Sequence, residues 1–161
     1  ITLLKAANQM KKNLNFRILI LGSGIEEKNL KAYISKNNLN NFVKIKGFIQ
    51  NPYPFIKQAD IFVLSSKYEG LPNVLLEAAT LKKIIFSTNC PTGPNEILVK
   101  GKGGFLFKIG NYKDLVKKIN FYLKNKKKSN LKIRTLYNGL KRYNYNKNLN
   151  EYFNLLKPYL I

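Results

Sequence analysis

Five short apolar runs recur along the chain and predict five buried strands. They are Phe16–Leu21, Phe42–Ile45, Ile61–Leu64, Ile84–Ser87 and Phe105–Phe107. Each run is rich in branched or aromatic side chains and shows little alternation of apolar and polar positions. That pattern is typical of a strand covered on both faces.

The segments between these runs show the apolar spacing of helices. The spacing is seen at Leu30, Tyr33 and Ile34, along 54–59, and at Val74, Leu75, Ala78 and Ala79. Strands that alternate with helices predict a parallel sheet with helices on both faces, because parallel neighbours need crossover connections. We therefore expect a doubly wound, Rossmann-like α/β fold, with ligands at the carboxyl ends of its strands.

The pattern after the last strand is helical. Asn111 can cap a helix that carries Asp114 in its first turn and ends near Lys124, and further helices are expected over about 130–143 and 149–157. The Asn-rich stretch 144–150 is the expected hinge. The chain is thus predicted to be a single ligand-binding domain over 1–161, with its core in about 1–125 and C-terminal helices in about 128–161.

Length and residue usage exclude several classes of protein. The 161 residues contain no His and a single cysteine, Cys90, so a Ser-His-Asp triad, a His-rich zinc site and an internal disulfide are excluded. We expect no metal site. Apolar stretches such as Ile18–Leu21 are far shorter than the roughly 18 residues of a spanning helix. Because the chain opens with Ile1, we expect it to be an internal or truncated piece of a longer protein.

The formal net charge of +21 leaves three kinds of anionic partner open. Nucleic-acid phosphates, acidic lipid headgroups and small phosphorylated ligands are all attracted by such a charge. An abundance of Lys, Asn and Ile is also what an AT-biased genome encodes, so composition alone accounts for much of it. The densest basic run, Lys124–Lys128, is expected to be a solvated loop.

The loop after the first predicted strand is rich in glycine. Gly22 and Gly24 flank Ser23 and permit a tight turn or a close backbone approach to a ligand. A dinucleotide fingerprint requires a third glycine at position 27, where this chain has Glu27. The loop therefore indicates a structural turn, or a loop beside a ligand other than NAD.

The segment 65–77 leads from the third strand into a helix and holds the most informative chemistry. Pro72 suits a first helical turn, where free N–H groups and the helix dipole attract anions. Glu69 lies just before this helix and Glu77 one turn beyond Asn73, so both carboxylates can face one ligand. The alternative is structural, with Glu69 capping the helix and Glu77 paired with a surface lysine.

The segment 88–96 leaves the fourth strand and enters a short helix near Pro94. Two prolines and a glycine indicate a rigid turn. Glu96 can cap its own helix or hold the neighbouring loop, which is a structural role. Cys90 is expected to be a small buried residue, because the chain has no His to activate it as a nucleophile.

These segments resemble a known family. The run 59–66, the segment Tyr68–Asn73, the triplet 76–78 and the loop 87–97 are similar to the donor-binding half of retaining glycosyltransferases with the GT-B architecture, of the group 1 (family 4) type. The looser similarity extends from about Leu4 to Leu123. Glu69 and Glu77 resemble the pair of glutamates that marks this family.

The resemblance implies roles for individual residues. Glu77 would bind the ribose hydroxyls of a nucleotide sugar, expected to be a UDP-sugar. Glu69 would hold the transferred sugar and is the candidate catalytic residue, in a family with no firmly established protein nucleophile. Phe48 would lie near the nucleobase. The other implied donor contacts, chiefly through the backbone at the helix start, are Gly22, Gly70, Leu71, Asn73, Val74 and Pro94.

The resemblance also implies an activity and its limits. The function expected is sugar transfer to a glycan or lipid-linked acceptor in surface polysaccharide synthesis, without a cofactor, in the cytoplasm and at the inner face of the membrane. The alternatives are a basic module that binds nucleic acid or membrane, or an inactive truncated fragment. The family's diphosphate-neutralising Arg and Lys and its N-terminal acceptor domain have no counterpart here, and Thr80–Ile84 replaces a usual Gly and Pro.

Overall fold

A computed structural model describes residues 1–160 and contains two groups of parallel strands. The first group pairs β1 (Ile18–Ile20) with β2 (Val43–Ile45). The second group has the order β3 (Ile61–Leu64), β4 (Ile84–Thr88) and β5 (Phe105–Phe107). Every strand overlaps a run that the apolar pattern predicts, and only β4 extends beyond its run, by one residue to Thr88. The prediction of parallel strands is confirmed.

Eight α-helices precede, connect or follow these strands within the described residues. They are α1 (Thr2–Met10), α2 (Glu27–Lys36), α3 (Tyr53–Gln58), α4 (Asn73–Thr80), α5 (Pro94–Ile97), α6 (Tyr112–Lys124), α7 (Lys126–Gly139) and α8 (Tyr145–Leu156). Short 3-10 segments follow α7 and α8, over Leu140–Tyr143 and Lys157–Tyr159.

Helices cover both faces of β3, β4 and β5, and they pack on one face of β1 and β2. On one face α1 and α6 pack on Phe86 of β4 and Phe105 of β5, and α1 and α2 pack on Val43 of β2. On the other face α3, α4 and α7 pack on Ile85 of β4. Ile84–Thr88 is buried throughout, because β4 has a strand on each side and a helix layer on each face. This arrangement is the doubly wound α/β fold.

Helix α1 is absent from the sequence-based prediction. Its apolar positions Leu4, Ala7 and Met10 follow helical spacing, and all three are buried. Small alanines among Lys, Asn and Gln make this stripe weak in the sequence, and no side chain within residues 1–160 caps the helix start. The apolar spacing of α1 is therefore present in the sequence but weak.

The C-terminal helices begin earlier than the sequence suggests. The expected solvated loop at Lys124–Lys128 is wrong, since only Asn125 separates α6 from α7, and lysine is itself a good helix former. The expected hinge at 144–150 is also wrong, because the Asn144 side chain accepts a hydrogen bond from Lys147 N at 2.9 Å and starts α8. Asn111 caps α6 as predicted, accepting from Asp114 N at 2.9 Å.

Within residues 1–160, each helix is either too short or too polar to cross a lipid bilayer.

Candidate functional site

The loops after β3 and β4 lie side by side at the carboxyl edge of the sheet. Strand β3 pairs in parallel with β4, from Ile61 opposite Ile84 to Leu64 opposite Ser87. The chains that leave the two strands, the β3 loop (65–72) and the β4 loop (89–93), therefore emerge together. This edge is where a doubly wound sheet places its ligands.

Three contacts join the two loops. The Thr92 hydroxyl donates to the Glu69 carbonyl oxygen at 2.6 Å, and the Cys90 thiol points at the Ser66 carbonyl at 3.6 Å. Gly93 lies so close that an added Cβ would stand 1.9 Å from Gly70 O. The β4 loop thus fixes the backbone of the β3 loop from Ser66 to Gly70.

The start of α4 has free donors. Pro72 is the N-cap, one position before the helix rather than in its first turn, and no side chain in the described chain caps it. The Leu75 N–H bonds back to Pro72 O at 2.9 Å, whereas Asn73 and Val74, the first two helical residues, are exposed. The partial positive charge of a helix start and its unpaired N–H groups favour an anion here.

Glu69 and Glu77 are both half-buried and neither carboxylate has a side-chain hydrogen bond or ion pair with any residue in 1–160. Glu69 lies within the fixed part of the β3 loop, and Glu77 lies one helical turn beyond Asn73 on the same side of α4. The structural alternatives are therefore not observed, since Glu69 does not cap α4 and Glu77 does not pair with a lysine. Both carboxylates remain available to a ligand.

The loops after β1 and β2 are joined in the same way. Gly22 N donates to Gly47 O at 2.7 Å. Gly22 has a φ of +123°, a backbone conformation that glycine adopts without steric strain. Phe48 follows directly and is 76% exposed. The loop at Gly22 is therefore bonded to the loop at Gly47, and the Phe48 ring beside this contact is exposed to solvent.

Exposed apolar side chains accumulate in the loops and first helical turns that follow the strands. Singly exposed apolar residues are common on proteins, and only a contiguous patch of them marks a binding surface. The group consists of Ile25, Phe48, Tyr68, Leu71 and Val74.

Other predicted residues have packing roles. Pro94 is buried as the first residue of α5, so its ring is not displayed to a ligand. Cys90 is buried, as predicted. Glu96 is exposed and does not cap α5; instead its carbonyl accepts from the Arg142 guanidinium at 3.4 Å. Sequence reasoning assigned no individual role to Thr92 or Gly93, whose contacts with the β3 loop cannot be seen in a linear pattern.

The family's usual Gly between α4 and β4 is replaced without loss of the turn. Lys82 adopts a left-handed φ of +54°, and its ammonium lies 4.7 Å from the centre of the Tyr137 ring. A non-glycine residue in this conformation is strained by about 1 kcal/mol or more. Ile84, Ile85 and Phe86 that follow are nonetheless fully buried, so packing at this position is retained.

No group of three or more metal-ligating side chains is found in the part of the chain that the structure describes. A surface depression of about 390 Å³ lies between α1, α2 and α6, where Lys5, Tyr33 and Lys113 contribute to its walls. Neither Glu69 nor Glu77 belongs to its walls, so it is not part of the candidate site.

Comparison with known proteins identifies the family. The model of the family "Glycosyl transferases group 1" matches residues 1–138. An uncharacterized glycosyltransferase of Methanocaldococcus jannaschii is 45% identical over 84 residues, which are 52% of this chain and 21% of the relative.

A second relative has a defined name. The N-acetylgalactosamine-N,N'-diacetylbacillosaminyl-diphospho-undecaprenol 4-alpha-N-acetylgalactosaminyltransferase of Campylobacter jejuni is 28% identical over 125 residues, 78% of this chain and 34% of that enzyme. The chain thus spans about a fifth to a third of the curated relatives it matches.

A solved structure has the same fold. The crystal structure of Anabaena HepE in complex with UDP matches 98% of this chain and 44% of its own, with a TM-score of 0.86 at 21% identity. The fold is therefore that of one Rossmann-like half of a GT-B enzyme. The chain belongs to the group 1 family of glycosyltransferases.

Proposed function

We propose that this chain is the donor-binding half of a retaining glycosyltransferase and binds a UDP-sugar at the carboxyl edge of its sheet. The observation that carries the proposal is the pair Glu69 and Glu77. Within residues 1–160 neither carboxylate has a protein partner; Glu69 lies on the β3 loop, which the Thr92 hydroxyl holds in place, and Glu77 lies on α4 just beyond its uncapped start. Two hydrogen-bond acceptors on either side of an anion site match a molecule with hydroxyls at both ends of a diphosphate.

The roles follow the order of the groups along the ligand. Glu77 accepts from the ribose hydroxyls, and Glu69 accepts from hydroxyls of the transferred sugar and is the candidate catalytic residue. The exposed backbone N–H groups of Gly70, Leu71, Asn73 and Val74 meet the diphosphate and the sugar between them. Phe48 offers its exposed ring to the base beside the turn at Gly22, while the buried Pro94 supports the β4 loop rather than touching the ligand.

The departing diphosphate needs more positive charge than α4 supplies. A helix start contributes only about half a unit charge. The net charge of +21 attracts the dianion without fixing it at one point. Binding the donor therefore requires less positive charge than transferring the sugar does. We propose that the chain by itself binds the donor weakly and transfers sugar poorly.

The acceptor is proposed to be a glycan or a lipid-linked sugar of surface polysaccharide synthesis, at the inner face of the membrane. The support is the name of the Campylobacter jejuni relative, which specifies a diphospho-undecaprenol substrate for that enzyme. Lysines near anionic lipid gain about 1 kcal/mol each, so a lysine-rich surface would aid this location. No cofactor or metal is required by the proposed roles.

Thermal unfolding in the presence of UDP tests the donor proposal. Millimolar UDP should raise the melting temperature, since a ligand that binds the folded state stabilises it. Glu77→Gln removes the charged acceptor and should abolish most of this shift. Glu151→Gln makes the same change on α8, where Glu151 is exposed and pairs with Lys147, and should leave the shift intact.

Two results would contradict the proposal. If about 5–10 mM UDP leaves the melting temperature of the wild-type protein unchanged, the protein has no donor site of useful affinity. Equal shifts for Glu77→Gln and Glu151→Gln would mean that UDP binds by charge alone, at a site that does not use Glu77.

A further inference from the structure

Two surface depressions lie along α1 and form one groove. The larger, of about 390 Å³, lies between α1, α2 and α6, and the smaller, of about 120 Å³, lies between the end of α1 and α6. Gln9 contributes to the walls of both. The larger depression alone has the size of a small-molecule site, for which about 300–1,000 Å³ is usual. We call the two together the α1 groove, which runs from Lys5 and Lys113 to Asn13 and Asn120.

The α1 groove exists because α1 is recessed between its two neighbours. Ala6 and Ala7 are fully buried, and their small side chains allow α1 to approach the strands closely. Tyr33 of α2 and Tyr112 of α6 are half-buried against the clusters on opposite sides of α1, and both line the larger depression. An aromatic ring supported in this way offers a flat apolar surface and has little rotamer freedom to lose when a ligand binds.

The α1 groove is elongated. Lys5 lies with Lys113 at one end, and Asn13 lies with Asn120 at the other, so α1 and α6 run side by side in the same direction. The step from Lys113 to Asn120 is two helical turns, which is roughly 10 Å. A ligand that fills the groove is therefore also elongated.

Amide side chains supply most of the polar groups of the α1 groove. They are Asn8, Gln9, Asn13 and Asn120. An amide carries both donors and an acceptor, which suits hydroxyl groups because these also donate and accept. Asn8 Nδ2 donates to Asn37 Oδ1 at 3.2 Å, and Asn37 Nδ2 donates to Tyr33 O at 2.9 Å. These bonds fix the Asn8 amide and leave its Oδ1 without a partner among residues 1–160.

Positive charge is confined to one end of the α1 groove. Lys5 and Lys113 are exposed and line the larger depression, and neither ammonium has an ion pair or hydrogen bond with another residue in 1–160. In the described chain no acidic side chain lines either depression, and no lysine lines the smaller one. Two ammonium groups at one end, with amides beyond them, suit a ligand that joins an anionic group to neutral units rich in hydroxyls.

We propose that the α1 groove binds an acidic oligosaccharide. Its carboxylate or phosphate lies at the two lysines, and its hydroxyls bond to the amides. The apolar faces of its sugar rings pack beside the two tyrosines. Nucleic acid fits less well, because it carries a phosphate on every residue while the smaller depression offers no lysine. Neither Glu69 nor Glu77 lines the groove, so the inference does not rest on donor binding.

Calorimetric titration of the chain with short saccharides tests the proposal. The probes are trigalacturonate, phosphorylated maltotriose, neutral maltotriose and an oligothymidylate. The buffer contains about 0.15 M salt, which screens most of the long-range attraction between an anion and the net charge of +21.

Two pairs of variants separate the α1 groove from the rest of the surface. Lys5→Gln with Lys113→Gln removes both charges from the groove. Lys12→Gln with Lys117→Gln makes the same change in net charge at exposed positions that line neither depression.

Gln9→Ala removes the amide that both depressions share, in a helix where Ala is favoured. Gln58→Ala is the matched control, at an exposed position on α3.

Both acidic trisaccharides should bind the wild-type chain more tightly than neutral maltotriose does. Loss of Lys5 and Lys113 should weaken their binding at least about tenfold, since each charge-assisted hydrogen bond contributes more than a neutral one. Loss of Lys12 and Lys117 should change it by less than about twofold, because exposed charges outside the site are screened. Gln9→Ala should weaken the binding of every trisaccharide, and Gln58→Ala should not. The tighter of the two acidic probes identifies the preferred anionic group.

Four results would overturn the proposal. Equal losses in the two lysine pairs would mean that anions bind by net charge alone. The others are no binding of either acidic trisaccharide at millimolar concentration, unchanged binding in Gln9→Ala, and an oligothymidylate that binds more tightly than trigalacturonate and depends on Lys5 and Lys113. The shift in melting temperature with UDP is a separate measurement and should persist without these two lysines, so this inference and the donor proposal can fail independently.

Discussion

Gly93 packs directly against Gly70, with no room for a side chain between the two backbones. A Cβ on Gly93 would lie 1.9 Å from the Gly70 carbonyl oxygen and 2.6 Å from Cδ of Pro72. The φ of +80° and ψ of −79° at Gly93 would also strain the backbone of any residue that has a side chain. This contact holds the β3 loop where Glu69 and the start of α4 meet.

Replacing Gly93 by Ala should destabilise the protein and disturb the site. The strained backbone alone costs about 1–3 kcal/mol, and the clash forces Gly70 to move. We expect a loss of at least about 2 kcal/mol in the free energy of unfolding, measured by urea denaturation, together with loss of UDP binding. Gly24→Ala is the control, since Gly24 has open space around it. Similar losses for both variants would show that the contact has no special importance.

Thr92→Val should weaken donor binding more than it weakens the fold. The Thr92 hydroxyl fixes the Glu69 carbonyl at 2.6 Å at an exposed position, so its removal costs about 1 kcal/mol while leaving the core untouched. Calorimetric titration with UDP measures the effect. Thr80→Val removes a comparable hydroxyl-to-carbonyl bond, to Leu76 O at 2.9 Å, at the far end of α4. If Thr80→Val reduced UDP affinity as much, the loop contact would not be responsible.

Phe48→Ala should lower UDP affinity without changing stability. The ring is exposed, so its removal leaves no cavity, whereas stacking on a base is worth about 1–3 kcal/mol. The expected loss of affinity is roughly tenfold or more in calorimetry. Phe153→Ala removes an exposed ring from α8 and should have no effect on binding. Unchanged affinity in Phe48→Ala would remove Phe48 from the proposed site.

Tyr143→Phe should stabilise the protein. The Tyr143 hydroxyl is buried and has no hydrogen-bond partner among residues 1–160, a situation that costs about 1–3 kcal/mol. We expect a gain of about 1 kcal/mol in urea denaturation at pH 7. Tyr159→Phe alters an exposed hydroxyl and should change nothing measurable. A less stable Tyr143→Phe would mean that the hydroxyl has a partner in solution.

The same variant should change the stability at alkaline pH. Burial raises the pKa of Tyr143 above its usual 10.0, against a smaller lowering by Arg142, and Glu96 raises it. A raised pKa contributes stability below pH 10 that is lost as the pH rises from there through the folded-state pKa. Tyr143→Phe lacks this ionisation, so its stability should fall less steeply above pH 10. Tyr122 and Lys132, whose pKa values are also shifted by burial, are common to both proteins.

The five strands and the family could be predicted because the signals are local. A continuous apolar run such as Ile61–Leu64 marks a buried strand wherever it lies, and Glu69 and Glu77 keep their spacing in any context. Helix boundaries were less reliable. Short polar signals such as Asn125 or Asn144 mark a helix start in the structure but suggest a loop or hinge in the sequence, since Asn favours both.

The sequence by itself determined the strand–helix alternation, the absence of histidine chemistry and the two acidic residues beside a helix start. Only the tertiary structure decided that Gly93 and Thr92 hold the β3 loop, that Pro94 is buried, and that β1 pairs with β2 while β4 lies between β3 and β5. The physical reason is that periodicity and spacing act between neighbours along the chain. Contacts between loops, and the pairing of strands, arise when distant segments fold against one another.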